Sequence, residues 1–296
     1  MPLSEMTLDL FLLQLFTGLA LGAIYALMAI GLSLIFGMLT VVNFAHGAMF
    51  MVGAYAGLVI FNATGSFWLA VLGGPLAVAA IALVAERFLI RPLYGKGIDY
   101  PLLVTFGFSY VMVDSIRMIF GKVGMPFAQP EWLQGATDIG IGFFPTYRLF
   151  VLAASAAILG ALYLLVEKTR WGLVIRAGAR DATIMKVLGV DVARVWLVVF
   201  GIGAGLAALA GVLAAPLQGV TPEMGNAMLI EAFVVTVIGG MGSLAGAVLA
   251  GLIVGVVVSM TSLIVPEMAQ VSIFFLMALV LIVRPQGLLG QTGLMS

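Results

Sequence analysis

Residues 22–47 read GAIYALMAIGLSLIFGMLTVVNFAHG, and the fold turns on how this stretch is read. The apolar run that contains it begins near Leu10 and continues past Ile35. A helix crossing a bilayer needs about 20 predominantly apolar residues, and this run has them. It is too long for the apolar region of a secretory signal. The residues ahead of it include Glu5 and Asp9 but no Lys or Arg, so the run reads as a retained helix. Then the pattern breaks. Asn43-Phe44-Ala45-His46-Gly47 sets an amide, the chain's only histidine and a glycine between two strongly apolar runs.

The rest of the chain agrees with a membrane setting. Hydrophobic residues make up 63% of the 296 and charged residues 9%, against roughly a quarter charged in a soluble domain. Mean hydropathy is +1.23. There are 37 Gly, a residue more frequent in transmembrane helices than in soluble ones. There is no Cys, which removes disulfides and thiolate metal sites.

Span-length apolar runs cover roughly 10–36, 44–62, 67–89, 101–120, 147–166, 194–215, 228–264 and 269–284. The seventh is too long for one simple span. It holds Gly239-Gly240-Met241-Gly242-Ser243, which suits a short descending segment, a break and a full helix. The expected fold is therefore all-α, a polytopic transmembrane helical bundle of about eight crossings with broken or re-entrant segments. Ten of the 13 Lys and Arg lie in 86–97, in 167–194 or at Arg284. Only Arg117, Lys122 and Arg148 fall on the other face. Basic loops stay cytoplasmic, so the N-terminus and the 121–147 connector are expected outside and the C-terminus inside.

The external connector carries Gly124, Pro126, Pro130, Gly135, Gly140, Gly142 and Pro145, and it cannot be a continuous helix. It reads as a lid over helix ends or as a contact for an external partner. Trp132, Phe143, Phe144 and Tyr147 suit an interfacial belt. Small residues four apart recur at Gly18/Gly22, Gly53/Gly57, Gly203/Ala207/Gly211, Gly242/Gly246 and Gly251/Gly255. Such pairs let helix backbones approach closely, within one bundle or between copies. NFAHGAMFMVGAYAG (43–57) and IGGMGSLAGAVLAG (238–251) echo each other, each a polar, Gly-containing break ahead of an Ala/Gly-rich helix. Transporters often pair broken helices at the substrate path.

Catalytic signatures are missing. One His without Cys makes no metal cluster. There is no GxSxG elbow, and no G-x-x-x-x-G-K-[ST] stretch through which this chain would bind ATP. Among intramembrane ionisable residues, Asp114 and Arg117 are spaced for an i,i+3 helical pair. Glu231 stands at the start of the seventh run, where a carboxylate favours a helix N-terminus. The stretch EKTRWGLVIRAGARDATIMKVLGVDVARVW (167–196) holds nine charged residues. Within it Ala182, Met185 and Leu188 fall at helical spacing, which predicts an amphipathic helix stopped by Gly189. That helix lies on anionic lipid or docks a soluble partner.

Several stretches together resemble one known family. GAIYALMAIGLSLIFGMLTVVNFAHG (22–47), RPL (91–93), RAGARDATIMKVLGV (176–190), GIGAGLAALAGVLAAP (201–216) and IEAFVVTVIGGMGSLAGAVLAGLIVG (230–255) span nearly the whole chain in family order, and RPQGLLG (284–290) also fits. The chain is similar to the integral-membrane permease subunits of ABC importers for branched-chain amino acids, in the shorter of the two homologous permease types. The resemblance implies a single permease domain over 1–296 with a cytoplasmic coupling loop at about 167–194. It implies a heteromer in a bacterial inner membrane, with a longer homologous permease, two P-loop ATPase subunits and a periplasmic solute-binding protein. ATP and Mg would sit on the ATPases and no cofactor on this chain; no nucleic acid is involved. Residues matching the ATPase-coupling loop are Arg176, Arg180, Asp181, Ala182, Lys186, Leu188 and Gly189. Family relatives carry urea, short amides, or aromatic and dicarboxylic acids, so the resemblance leaves the solute open.

Three functions compete: an ATP-driven importer permease without chemistry of its own, a stand-alone secondary transporter or channel, and a membrane scaffold. The inventory of buried carboxylates and histidines is poor for ion coupling, which favours the first. In that reading the translocation pathway is lined by Asn43, Phe44, His46 and Gly47 and by Gly239, Gly240, Gly242 and Ser243. His46 has two readings. It helps Asn43 satisfy backbone groups freed at a helix break, or it faces the pathway.

Overall fold

The computed structural model describes residues 7–39 and 42–290. Eleven α-helices account for most of them: α1 (Leu8–Leu39), α2 (Ala45–Thr64), α3 (Phe67–Ala85), α4 (Asp99–Phe120), α5 (Thr146–Lys168), α6 (Arg170–Arg180), α7 (Ala182–Val187), α8 (Val192–Gln218), α9 (Met224–Gly239), α10 (Leu244–Ile264) and α11 (Ala269–Val283). A π-turn (Glu86–Ile90) and a 3-10 turn (Arg91–Leu93) prolong α3. Among the described residues, eight helical stretches are long and apolar enough to cross a membrane, as the sequence predicts. The predicted seventh run divides into α9 and α10 at 240–243. The 121–147 connector is not a continuous helix, as its glycines and prolines predict, and it holds an antiparallel hairpin of β1 (Ala136–Asp138) and β2 (Phe143–Pro145).

The chain forms two compact units. One takes in Ile30–Phe127 and Leu159–Ile230. Its core is α2 packed on α3 and α8. Close approach depends on small residues. A Cβ on Gly211 would collide with the Phe50 carbonyl, and one on Gly53 would meet the Ala208 backbone. The other unit comprises Ala128–Ile158 with the chain up to Ala29 and from Glu231 onward. There Gly18 and Gly22 of α1 lie against Gly251 and Gly255 of α10, again with no room for a Cβ. Of the two readings of the small-residue pairs, packing within one chain accounts for these. Polar clamps fix the same α1–α10 contact: the Gln14 amide donates to the Ser259 carbonyl at 2.6 Å, and the Ser259 hydroxyl donates to the Gln14 carbonyl at 2.9 Å.

Outward faces are apolar. Leu72 and Leu76 of α3 and Phe275 and Ile282 of α11 are all exposed. Apolar surface of this extent is a liability in water and is satisfied by lipid. The expected aromatic belt is only half realised. Trp132 and Phe143 are exposed, whereas Phe144 and Tyr147 are buried. Phe144 packs at a tilt on Phe16 and Tyr147 on Phe150, each with ring centroids 6.0 Å apart, so these two rings serve the core instead of an interface.

Candidate functional site

The break at 43–47 opens α2. The Asn43 side-chain oxygen accepts from the Ala45 N–H at 3.1 Å, and the Asn43 carbonyl accepts from the His46 N–H at 3.1 Å. A helix start leaves N–H groups without intrahelical partners, and Asn43 takes up two of them. Asn43 and His46 are both buried. The His46 ring lies beside Gly31 of α1, where an added Cβ would come within 3.0 Å of the imidazole. The Phe44 N–H points to the Thr105 hydroxyl, 3.3 Å away in α4, and its ring meets Phe106 edge-on at 6.0 Å.

The segment that packs on this break within its unit is the start of α9. Gly47 and Gly225 face each other so closely that a Cβ on either would strike the other's carbonyl. Both helices thus begin at one place, beside the middle of α4. A cavity of about 270 Å³ opens there, lined by Phe44, Phe106, Ser109, Tyr110, Val113, Arg117, Asn226, Leu229 and Ile230. Arg117 makes the predicted pair with Asp114 at 2.9 Å and a second one with Glu223 at 3.0 Å. Phe44 lies on this cavity, whereas Asn43, His46 and Gly47 are buried and are not among its lining residues. The sequence reading missed Thr105, Ser109, Glu223 and Asn226. The available signal was their polarity within or beside apolar runs.

The second predicted break, 239–243, belongs to the other unit. Gly240 (φ +98°) and Gly242 (φ +82°) adopt left-handed backbone that Gly adopts without a Cβ penalty. Ser243 caps α10, its hydroxyl accepting from the Gly246 N–H at 3.1 Å. The Ile238 and Gly239 carbonyls, freed where α9 ends, accept from Leu288 and Leu289 at 2.7 and 3.0 Å. RPQGLLG therefore seals this break from one side, and the approach is so close that Gly240 has no space for a Cβ against Gly290. Glu231 lies half-way along α9, which starts at Met224, so the helix-start reading of that carboxylate is wrong. Its partner is the Tyr25 hydroxyl.

The basic segment 167–194 holds the predicted helix as α7 and a further helix, α6, ahead of it. Thr169 caps α6 through the Gly172 N–H. Asp181 ends α6 and caps α7, its carboxylate accepting from Thr183 at 2.8 Å and Ile184 at 2.9 Å. Gly189 (φ +82°) stops the chain as predicted. The expected apolar face is corrected. Met185 is buried, but Leu188 is exposed along with Ile184 and Val187. A six-residue helix cannot turn all its apolar residues inward, and these three are left without cover. Arg176 pairs with Glu167 at 2.9 Å; Arg180, Ala182 and Lys186 lie along the same two helices.

A further polar cluster joins this segment to α3. Glu86, fully buried, holds Arg91 at 2.7 Å and accepts from the Tyr94 hydroxyl at 3.0 Å. The Arg91 guanidinium also donates to the Ala193 carbonyl at 3.1 Å, at the start of α8. Burial and the adjacent Glu86 carboxylate push the Tyr94 phenol above its ordinary range. Tyr94 meets Trp196 edge-on at 4.9 Å, and the Lys186 ammonium stands 6.0 Å from that indole.

A family model described as the permease component of the branched-chain amino acid transport system matches residues 14–283. The high-affinity branched-chain amino acid transport system permease protein LivH of Escherichia coli K12 is 33% identical, covering 95% of this chain and 96% of its own. BraD of Pseudomonas aeruginosa, of the same description, is 31% identical over the same shares. LivM of Escherichia coli K12, also described as such a permease, is 27% identical, covering 92% of this chain and 69% of its own.

Proposed function

The chain belongs to the branched-chain amino acid transport permease family, in its shorter LivH-like type, and from this we propose that it is the membrane-spanning subunit of an ATP-driven importer. It is a multi-pass membrane protein of all-α importer-permease fold. The family match over residues 14–283 is the observation that carries the proposal. Its solute is a branched-chain amino acid or a related small polar or organic-acid solute, delivered by a periplasmic binding protein. The whole chain acts as one permease domain in the bacterial inner membrane, paired with a longer permease of the LivM type. Two P-loop ATPases bind ATP and Mg, since this chain has no motif for them. The N-terminus lies outside and the C-terminus in the cytoplasm, which keeps ten of the 13 basic residues inside.

ATP closure of the ATPases acts on Arg176, Arg180, Asp181, Ala182, Lys186, Leu188 and Gly189. Support comes from the uncovered apolar residues Ile184, Val187 and Leu188 beside the exposed charges of Arg180, Asp181 and Lys186, a surface of the kind a soluble partner covers. The permease pair then shifts between outward- and inward-facing states, two conformations biased by ATP and loaded binding protein. The breaks at Asn43, Phe44, His46 and Gly47 and at Gly239, Gly240, Gly242 and Ser243 border the path. Irregular backbone at membrane depth is tolerated where it is buried or lines a cavity.

Uptake of leucine by vesicles carrying the chain with a LivM-type permease, a P-loop ATPase and a binding protein tests this. Uptake is expected to require ATP and all components. Uptake by the chain alone, driven by an ion gradient, would overturn it in favour of a secondary transporter.

A further inference from the structure

Resting on the permease reading above, we propose that the cavity between α2, α4 and α9 is a binding station for a free zwitterionic amino acid with an aliphatic side chain. Arg117 would take its carboxylate and Glu223 its ammonium. Size is the first argument. At about 270 Å³ the cavity is near the lower edge of small-molecule pockets, roughly 300–1,000 Å³, which suits a small solute and excludes a peptide. Wall chemistry is the second. Phe44, Phe106, Val113, Leu229 and Ile230 give an apolar lining, and Ser109, Tyr110 and Asn226 add a few polar groups.

Charge complementarity is the third argument. Arg117 enters the wall already paired with Asp114 and Glu223, whose side chains are 58% and 55% exposed. Pairs that exposed are weakly held and exchange readily. A zwitterion can replace the Arg117–Glu223 pair at no change in net charge: its carboxylate accepts from the planar guanidinium, which suits bidentate pairing, and the freed Glu223 carboxylate receives its ammonium. A solute with a second carboxylate, such as aspartate, would bring it up to the Asp114 and Glu223 carboxylates, and so would be disfavoured.

The chain has no Cys, so Ser109→Cys introduces its sole thiol, on the cavity wall. The full chain, assembled with its transport partners in membrane vesicles, is treated with the permeant reagent N-ethylmaleimide. Leucine is expected to slow labelling several-fold, whereas aspartate and leucinamide, which lacks the carboxylate, leave it unchanged. Adding Arg117→Met is expected to abolish the protection while labelling continues. Val113→Cys gives a second reporter should the first variant fail to fold. Labelling unaffected by leucine overturns the proposal, as does protection that survives Arg117→Met. So does absence of labelling at both positions in the assembled importer, because a partner subunit or lipid then fills the cavity. Intact leucine uptake without protection sinks the station alone. Absent uptake by the unsubstituted importer sinks the permease reading for this solute.

Discussion

Single atoms decide where these helices can cross. Gly211 sits where any Cβ would collide with the Phe50 carbonyl, while Gly160 of α5 has nothing near its missing Cβ. Both are helical glycines, so replacing either raises helix propensity alike. Gly211→Leu is nevertheless expected to force α2 and α8 apart, by more than the 1–3 kcal/mol typical of ordinary overpacking. Gly160→Leu is expected to be tolerated. Melting of the purified protein in detergent checks the contrast, and equal melting points would disprove the contact. The sequence already showed Gly203/Ala207/Gly211 as a close-approach face, but not which helix it meets, because small-residue spacing carries no address. His46 is similar: its uniqueness was visible, its burial against Gly31 was not. Being fully buried and outside the cavity lining, it is expected to tolerate His46→Gln with leucine uptake still following the pH course of the unsubstituted protein. A changed course would place the imidazole on the pathway.

Elements fail at their ends, and two ends here have testable weight. The Glu86–Arg91–Tyr94 cluster closes α3 and ties it to α8. Its acid is buried and its base is only 17% exposed. Removing one member of such a pair strands the other charge. Arg91→Ala is therefore expected to cost on the order of 3 kcal/mol, and Glu86→Gln less, because a neutral amide still bonds Tyr94. The order of the two melting points checks it. At the other end, Asp181 caps α7 through two backbone N–H groups. Asp181→Ala is expected to cost about 1 kcal/mol locally, while Asp181→Asn keeps most of the cap. Faster amide exchange over 182–187 in the first and not the second would be the signature. The cap at Asp181 was not read from the sequence, whereas the stop at Gly189 was legible in it. Glu86 was not, because in sequence it is one acid in a basic connector, and only the π-turn at Glu86–Ile90 carries it into the interior.

The count of spans constrains the whole molecule. Eight crossings would return the chain to its starting side, whereas the orientation proposed from the Lys and Arg distribution has the termini on opposite sides. The proposed orientation requires α9 to serve as a ninth traverse. Its 16 residues rise about 24 Å, short of the roughly 30 Å hydrocarbon core and therefore below the length of a simple span. The non-helical lead at 219–223 adds up to about 16 Å of reach, enough to complete a ninth traverse. Broken traverses of this kind hide from hydropathy, since half the path is irregular backbone whose polar groups are satisfied by protein. The Val220–Met125 pairing at the start of the lead does so here, at 2.8 and 2.9 Å in the two directions. Topology reporters fused to each end are expected to lie on opposite faces, the N-terminal one outside. Reporters on one face would mean that α9 turns back, and would place 239–243 on the side opposite to that given by nine traverses.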